Sequence, residues 1–281
     1  MEKEPYKFID VEKVIGSKSE KFLRIVPKFI IRYLKRILHE DEINSALNRN
    51  ADKKGLDFVN EILIEFGTKI KVVNESNIPR TQKAIVASNH PLGGLDGLAL
   101  MKVVGKFNPN IRFLVNDLLL NLENLKEIFI PINTLGRTTK ETAMLLRKIY
   151  ESDNLILNFP FGLVSRKRRG RIEDLEWKKS FITKAREYQR DIIPVYIDGK
   201  NSNFFYTLAN VRKRLGIKLN LEMFLLVNEM YRQCSKLITI SFGKPISYKT
   251  FDNRYSDADW AEKLRRHVYQ MAINPDIDFV V

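Results

Sequence analysis

Ala84-Ile85-Val86-Ala87-Ser88-Asn89-His90-Pro91-Leu92-Gly93-Gly94-Leu95-Asp96-Gly97 changes character twice in a short span. A small, apolar, β-branched run ends, a histidine follows at once, and two glycines lead into an aspartate and a helical pattern. That is a strand, a turn and a helix start. In open α/β sheets, ligands gather beyond the carboxyl ends of the strands, which is where this order puts His90. The glycines permit close backbone approach and unusual dihedrals in the turn. A helix opening near Asp96 also aims its partial positive charge at the same place.

Working outward, short apolar runs alternate with helical patterns through the rest of the chain. They lie at residues 70–73, 84–87, 111–115, 128–132, 155–159, 192–197 and 237–242. This alternation predicts an α/β fold: a mostly parallel, roughly seven-stranded sheet flanked by helices. Pro131 and Pro194, inside two of the runs, predict a bulge, an edge or an early strand end. Thr138 with Glu141, and Ser17 with Glu20, have capping-box spacing.

Residues 1–69 read as a helical region apart from the α/β domain at 70–281. Between Ser19 and Leu38, Phe22, Val26, Phe29, Ile30, Tyr33 and Ile37 recur at three- and four-residue steps among Lys21, Arg24, Lys28, Arg32, Lys35 and Arg36. The pattern fits an interfacial helix on an anionic membrane. It fits equally a helix packed on its own domain with a solvated basic face. Pro27 starts or kinks it. The stretch from Phe204 to Val227, around Arg212, Lys213, Arg214 and Lys218, repeats the theme, as a surface contact or as core.

The 281 residues carry 48 Lys and Arg against 34 Asp and Glu, a net charge of +14. Such a surplus attracts polyanions: lipid headgroups, nucleic acid or an acidic carrier protein. At 44% hydrophobic the chain lies in the globular range, which excludes intrinsic disorder. The single Cys234 excludes an internal disulfide and fits a reducing compartment. Met1-Glu2-Lys3-Glu4 does not read as a secretory signal, and no uncharged run reaches the ~18–20 residues that span a bilayer. Three scattered histidines do not make a zinc site, so no metal is expected. His39 and His267 read as surface residues in charged helices.

The chemistry centres on His90. Imidazole ionises near neutral pH and can take and return a proton, and a carboxylate beside it fixes its tautomer and stabilises the imidazolium. A His90–Asp96 dyad can deprotonate a hydroxyl as it attacks a thioester. The bland alternative is a structural histidine near an acid.

Asn89-His90 with Asp96 resembles the His/Asp motif of the glycerolipid acyltransferases, the lysophosphatidic acid acyltransferase superfamily. The resemblance continues, in order, through three blocks. These are Ile128-Phe129-Ile130 with Gly136-Arg137-Thr138, then Phe159-Pro160-Phe161-Gly162-Leu163-Val164-Ser165-Arg166, then Ile193-Pro194-Val195-Tyr196-Ile197. It is nearest the bacterial hemolysin-like branch, in which Asn-His-Pro-x-Gly-Gly-Leu-Asp is common. The resemblance implies His90 and Asp96 as the catalytic pair. It implies substrate contacts among Asn89, Gly93, Gly94, Gly136, Arg137, Gly162, Ser165 and Arg166.

The family's usual spacing leaves four residues between His and Asp; here there are five, Pro91 to Leu95. Phe161 and Val164 replace the Glu and Arg of the third block, and Pro131-Ile132 replaces an Asp-Arg pair. A phosphorylated acceptor is therefore not implied. What is expected is transfer of a fatty acyl group from acyl carrier protein or coenzyme A to a lysophospholipid or a mono-acylated amino-acid lipid. No cofactor is needed, and the place of action is the inner face of the cell membrane, reached from the cytoplasm. Arg137 and Arg166 have the planar fork that grips an anionic acceptor. The alternative is a non-catalytic basic protein binding membrane or nucleic acid with a vestigial motif; no nucleic-acid-binding signature supports the latter.

Overall fold

The computed structural model of the chain describes residues 7–18, 25–81, 83–132, 139–217 and 220–280. Helices α1 (Val11–Lys18), α2 (Lys28–Ile37), α3 (Glu40–Arg49) and α4 (Gly55–Glu65) precede β1 (Lys69–Val73) and β2 (Ala84–Ser88). Then come α5 (Gly94–Phe107), β3 (Ile111–Val115), β4 (Phe129–Pro131), α6 (Lys140–Glu151) and β5 (Leu155–Asn158). A hairpin outside the main sheet follows, β6 (Arg166–Arg168) and β7 (Arg171–Glu173). The chain continues through α7 (Ser180–Glu187), β8 (Asp191–Asp198), α8 (Asn203–Arg214), α9 (Leu226–Arg232), β9 (Leu237–Phe242) and α10 (Asp257–Gln270).

All seven predicted runs pair into one sheet of order β1-β9-β8-β2-β5-β3-β4. Every ladder is parallel except β8 with β9. Strand β2 lies in the middle with all its residues buried. Its neighbours show why: successive side chains face opposite sides, and both sides are covered. Val86, Leu157 and Ile193 join α4 and α5 in one core. Ile85, Ile156 and Ile192 join α7 and α10 in the other, around Trp260 and Phe181.

The two prolines sit where a missing N–H does no damage. Pro131 ends the edge strand β4. Pro194 stays inside β8, where pairing with β9 lapses between the Ile192↔Ile246 bridge and Val195↔Phe242, and its carbonyl accepts from Gly243. The predicted caps fared differently. Helix α6 is capped by Thr139, whose Oγ1 accepts from Thr142 N–H, and Thr138 lies outside the described residues. Ser17 falls in the last turn of α1, with Glu20 outside them. Among the described residues the capping box formed is Ser256 with Asp259, at the start of α10.

Residues 1–69 were read as a region apart from the α/β domain at 70–281. Phe58, Val59, Ile62 and Leu63 of α4 are core residues, and Gly105 of α5 lets Leu56 approach so closely that a Cβ there would clash at 2.6 Å. Helix α4 is therefore part of the α/β core. Helix α2 is different. It opens just after Pro27, buries Ile31 and exposes Phe29 and Tyr33, with Ile25 exposed just before it; Lys21, Phe22 and Arg24 lie outside the described residues.

Candidate active site

His90 lies two residues past the end of β2, so the middle of the sheet fixes its main chain. Its Nδ1 is 3.0 Å from Asp96 Oδ1, and the carboxylate is fully buried in the first turn of α5. The other oxygen, Oδ2, accepts from Leu92 N–H at 2.8 Å. One carboxylate thus grips the imidazole and folds the intervening turn around itself. The surplus residue of the longer spacing is taken up at Gly93, which has φ 90° and precedes the helix. Only glycine enters that region readily.

Phe159, just past β5, stacks on the imidazole with centroids 4.0 Å apart and planes 17° from parallel. Asp96 and Phe159 together leave the ring little freedom. Nε2 has no hydrogen-bond partner among the described residues, and the side chain is 17% exposed. A histidine held through Nδ1 by a carboxylate, with Nε2 unengaged, is arranged to act as a base through Nε2.

Several residues expected to touch substrate hold the backbone instead. Asn89 accepts from Ile197 N–H at 2.7 Å and donates to Ile197 O at 2.9 Å. Its amide has the donor and acceptor of a peptide, so it extends the β2–β8 ladder by one rung. Ser165 donates to Asp174 Oδ1 at 2.6 Å, and its N–H donates to His90 O at 2.8 Å. Arg166 is buried, donating to Glu222 at 2.9 Å and to Val164 O at 3.0 Å. Glu222 is fully buried and also accepts from Arg212. The fork foreseen as a substrate grip closes an internal ion triad.

The glycines remain near the mouth. Gly94 begins α5 against Met230, and Gly162, at φ 71°, turns the chain back with its N–H on Phe159 O. A Cβ on Gly162 would meet Lys178 Nζ at 3.3 Å, so this ammonium lies over the turn that carries Phe159. Lys178 has no ion-pair partner among the described residues, and its N–H donates to Pro160 O. Gly136 and Arg137 lie outside the described residues.

Sequence reasoning missed Asp174. Buried beside the site, it accepts from Ser165 and from Trp177 Nε1 at 2.8 Å, with a longer 3.4 Å contact to His90 N–H. Burial pushes its carboxyl above the ordinary value, opposed by the Ser165 and Trp177 donors and by His90. In the sequence it is one acid in Glu173-Asp174-Leu175-Glu176, with nothing to separate it from solvated neighbours.

Of the other two histidines, both expected at the surface, only His39 keeps partial exposure. His267 is buried in α10. His39 turns the corner into α3 with φ 48° and stacks on Tyr231 at 4.0 Å. Burial pushes the Cys234 thiol up, away from nucleophilic use.

The family model described as Acyltransferase matches residues 13–277. A lyso-glycine lipid O-acyltransferase of Bacteroides thetaiotaomicron is 44% identical over 264 residues, 94% of this chain and 97% of that protein. A protein of the same description from Phocaeicola vulgatus is 43% identical, over 94% of this chain and 95% of its own length. Among solved structures, a 1-acyl-sn-glycerophosphate (LPA) acyltransferase, PlsC, from Thermotoga maritima overlays 87% of this chain and 97% of its own, with 16% identity and a TM-score of 0.46.

Proposed function

This chain belongs to the acyltransferase family, and we propose that it moves a fatty acyl group from a thioester to the hydroxyl of a lyso-glycine lipid, a mono-acylated amino-acid lipid with a free carboxylate. The acceptor class follows the two relatives named above. It also agrees with a third block that lacks the usual Glu and Arg at Phe161 and Val164.

The observation that carries the mechanism is the 3.0 Å contact between His90 Nδ1 and Asp96 Oδ1, with Nε2 unengaged. Nε2 removes the acceptor's hydroxyl proton as the oxygen attacks the thioester carbonyl. Asp96 holds the Nδ1–H tautomer and offsets the imidazolium charge. The tetrahedral oxyanion is met by the Gly93 and Gly94 N–H groups at the positive end of α5. Collapse breaks the C–S bond, forms the ester, and passes the proton from Nε2 to the leaving thiolate. The donor is acyl carrier protein or coenzyme A. Lys178, over Gly162, pairs with the acceptor's carboxylate, and Arg137 is the second cation proposed for it.

The exposed Phe29 and Tyr33 of α2, with Ile25 just before it, favour the interfacial reading of that helix over packing on its own domain. No helix of the described residues is long and apolar enough to cross a membrane. The protein is proposed to work from the cytoplasm on the membrane's inner face.

The test is purified protein, labelled acyl thioester and synthetic lyso-glycine lipid in detergent. The expected product is the O-acylated lipid, with turnover reduced at least ~10³-fold by His90→Ala. Full turnover in that variant would return His90 to a structural role. Absence of product with the unaltered protein would leave the non-catalytic binding reading.

A further inference from the structure

Helix α8 is apolar on two faces, and the fold covers only one. Phe205, Tyr206 and Ala209 are buried, against Val164 and Leu225. Phe204, Val211 and Leu215, at steps of seven and four, form a second stripe roughly a third to a half turn away, with Leu208 between them packed partly on the same cluster. On it Phe204 is 61% and Leu215 68% exposed, and Val211 is exposed as well. Ile217 and Phe224, just beyond the helix, are exposed too. A helix facing only water would carry polar side chains there.

Charge narrows what can cover this stripe. No acid occurs from Asn203 to Ile217, whereas Arg212, Lys213 and Arg214 do. The β6–β7 hairpin lies alongside, tied by Lys167 Nζ donating to Asn203 Oδ1 at 3.0 Å and by Asn210 donating to Lys167 O at 3.2 Å. Its tip exposes Arg168, Arg169 and Arg171. Arg212 is partly withdrawn onto Glu222, but the tip arginines have no acid partner among the described residues. Apolar side chains rimmed by unpaired cations match the acyl boundary and headgroups of an anionic bilayer.

Position supplies the last argument. The hairpin follows the carboxyl end of β5, and α8 follows that of the parallel strand β8, the same end of the sheet at which β2 delivers His90. Ile37, at the end of α2, packs on the cluster beneath α8, so the two exposed stripes adjoin one patch of core.

We propose that the outer face of α8 and the β6–β7 hairpin form a second bilayer contact, seating the mouth of the site directly on a membrane containing anionic phospholipid. The inference rests on the reading that the acceptor is a membrane lipid. It adds a surface that the α2 contact does not require.

Flotation of the full chain with vesicles of phosphatidylglycerol and phosphatidylcholine, against phosphatidylcholine alone, tests it. The expected result is preference for the anionic vesicles. Phe204→Ser with Leu215→Ser should lower the partition coefficient about tenfold or more. Arg168→Gln, Arg169→Gln and Arg171→Gln together should abolish the preference for phosphatidylglycerol. Both variants should keep turnover of detergent-solubilised acceptor and an unchanged melting temperature, since they alter exposed side chains. Phe29→Ser with Tyr33→Ser is the control for α2. Loss of binding there but none in the α8 variant would overturn this inference and leave the proposed reaction intact. Retained vesicle binding with slower turnover of acyl carrier protein donor in detergent would assign the face to the carrier and overturn it too.

Discussion

At the scale of single residues, His90 and Asp96 were legible because the pair is local: both sit in one turn, and their chemistry marks them. Asn89 was legible as part of a motif but not in its role, since its partner Ile197 is far along the chain. Asp174 was invisible for the same reason. It acts by holding Ser165 and the main chain of His90, and its removal measures that support. Asp174→Asn sets an amide N–H₂ against Trp177 Nε1–H. The expected cost is about 1–3 kcal/mol of stability, with kcat about tenfold lower and acceptor KM little changed. Trp177→Phe in the same chain removes the opposed donor and should restore most of the melting temperature. If kcat recovers fully as well, Asp174 serves stability alone. Lys178→Ala tests the proposed carboxylate contact. Acceptor KM should rise about tenfold with kcat nearly unchanged, and an acceptor methylated at its carboxylate should lose the difference. Equal loss on both acceptors would remove the carboxylate contact from the mechanism.

At the scale of elements, the inner strands of the main sheet announced themselves, because a strand buried on both faces must be a continuous apolar run, whereas β1, at the edge, alternates exposed lysines with half-buried apolar residues. The β6–β7 hairpin did not. Arg-Lys-Arg and Arg-Ile-Glu have no apolar alternation, and the first strand is anchored through Arg166, buried on Glu222. His267 was read as a surface residue in a charged helix, and α10 instead buries it beside Phe279. Burial holds this imidazole below its ordinary value of 6.5, opposed by Asp278. A depressed native pKa contributes stability that is complete above the unfolded value and lost as the pH falls through it towards the lower native one. The melting temperature should therefore fall more steeply between about pH 7 and about pH 5 in the natural protein than in His267→Phe, which has no proton to accept. Parallel melting curves for the two would show that His267 does not drive acid sensitivity.

At the scale of the whole molecule, the sheet's strand count was legible and its order was not. Apolar runs say how many strands exist; which lie side by side depends on crossovers that leave no local mark. Among the described residues β1 ladders only with β9, Lys69 opposite Leu237, so the first strand to be synthesised is the last to find its place. At ~5–20 residues per second on the ribosome, it waits roughly ten to thirty seconds without a neighbour. A bare strand is an invitation to stick to another nascent chain, and two exposed lysines, Lys69 and Lys71, stand guard on it. Lys69→Val with Lys71→Val should leave the finished fold nearly as stable, yet divert much of the newly made protein into aggregates during cell-free translation. A soluble yield equal to that of the natural sequence would show that the waiting strand needs no such protection.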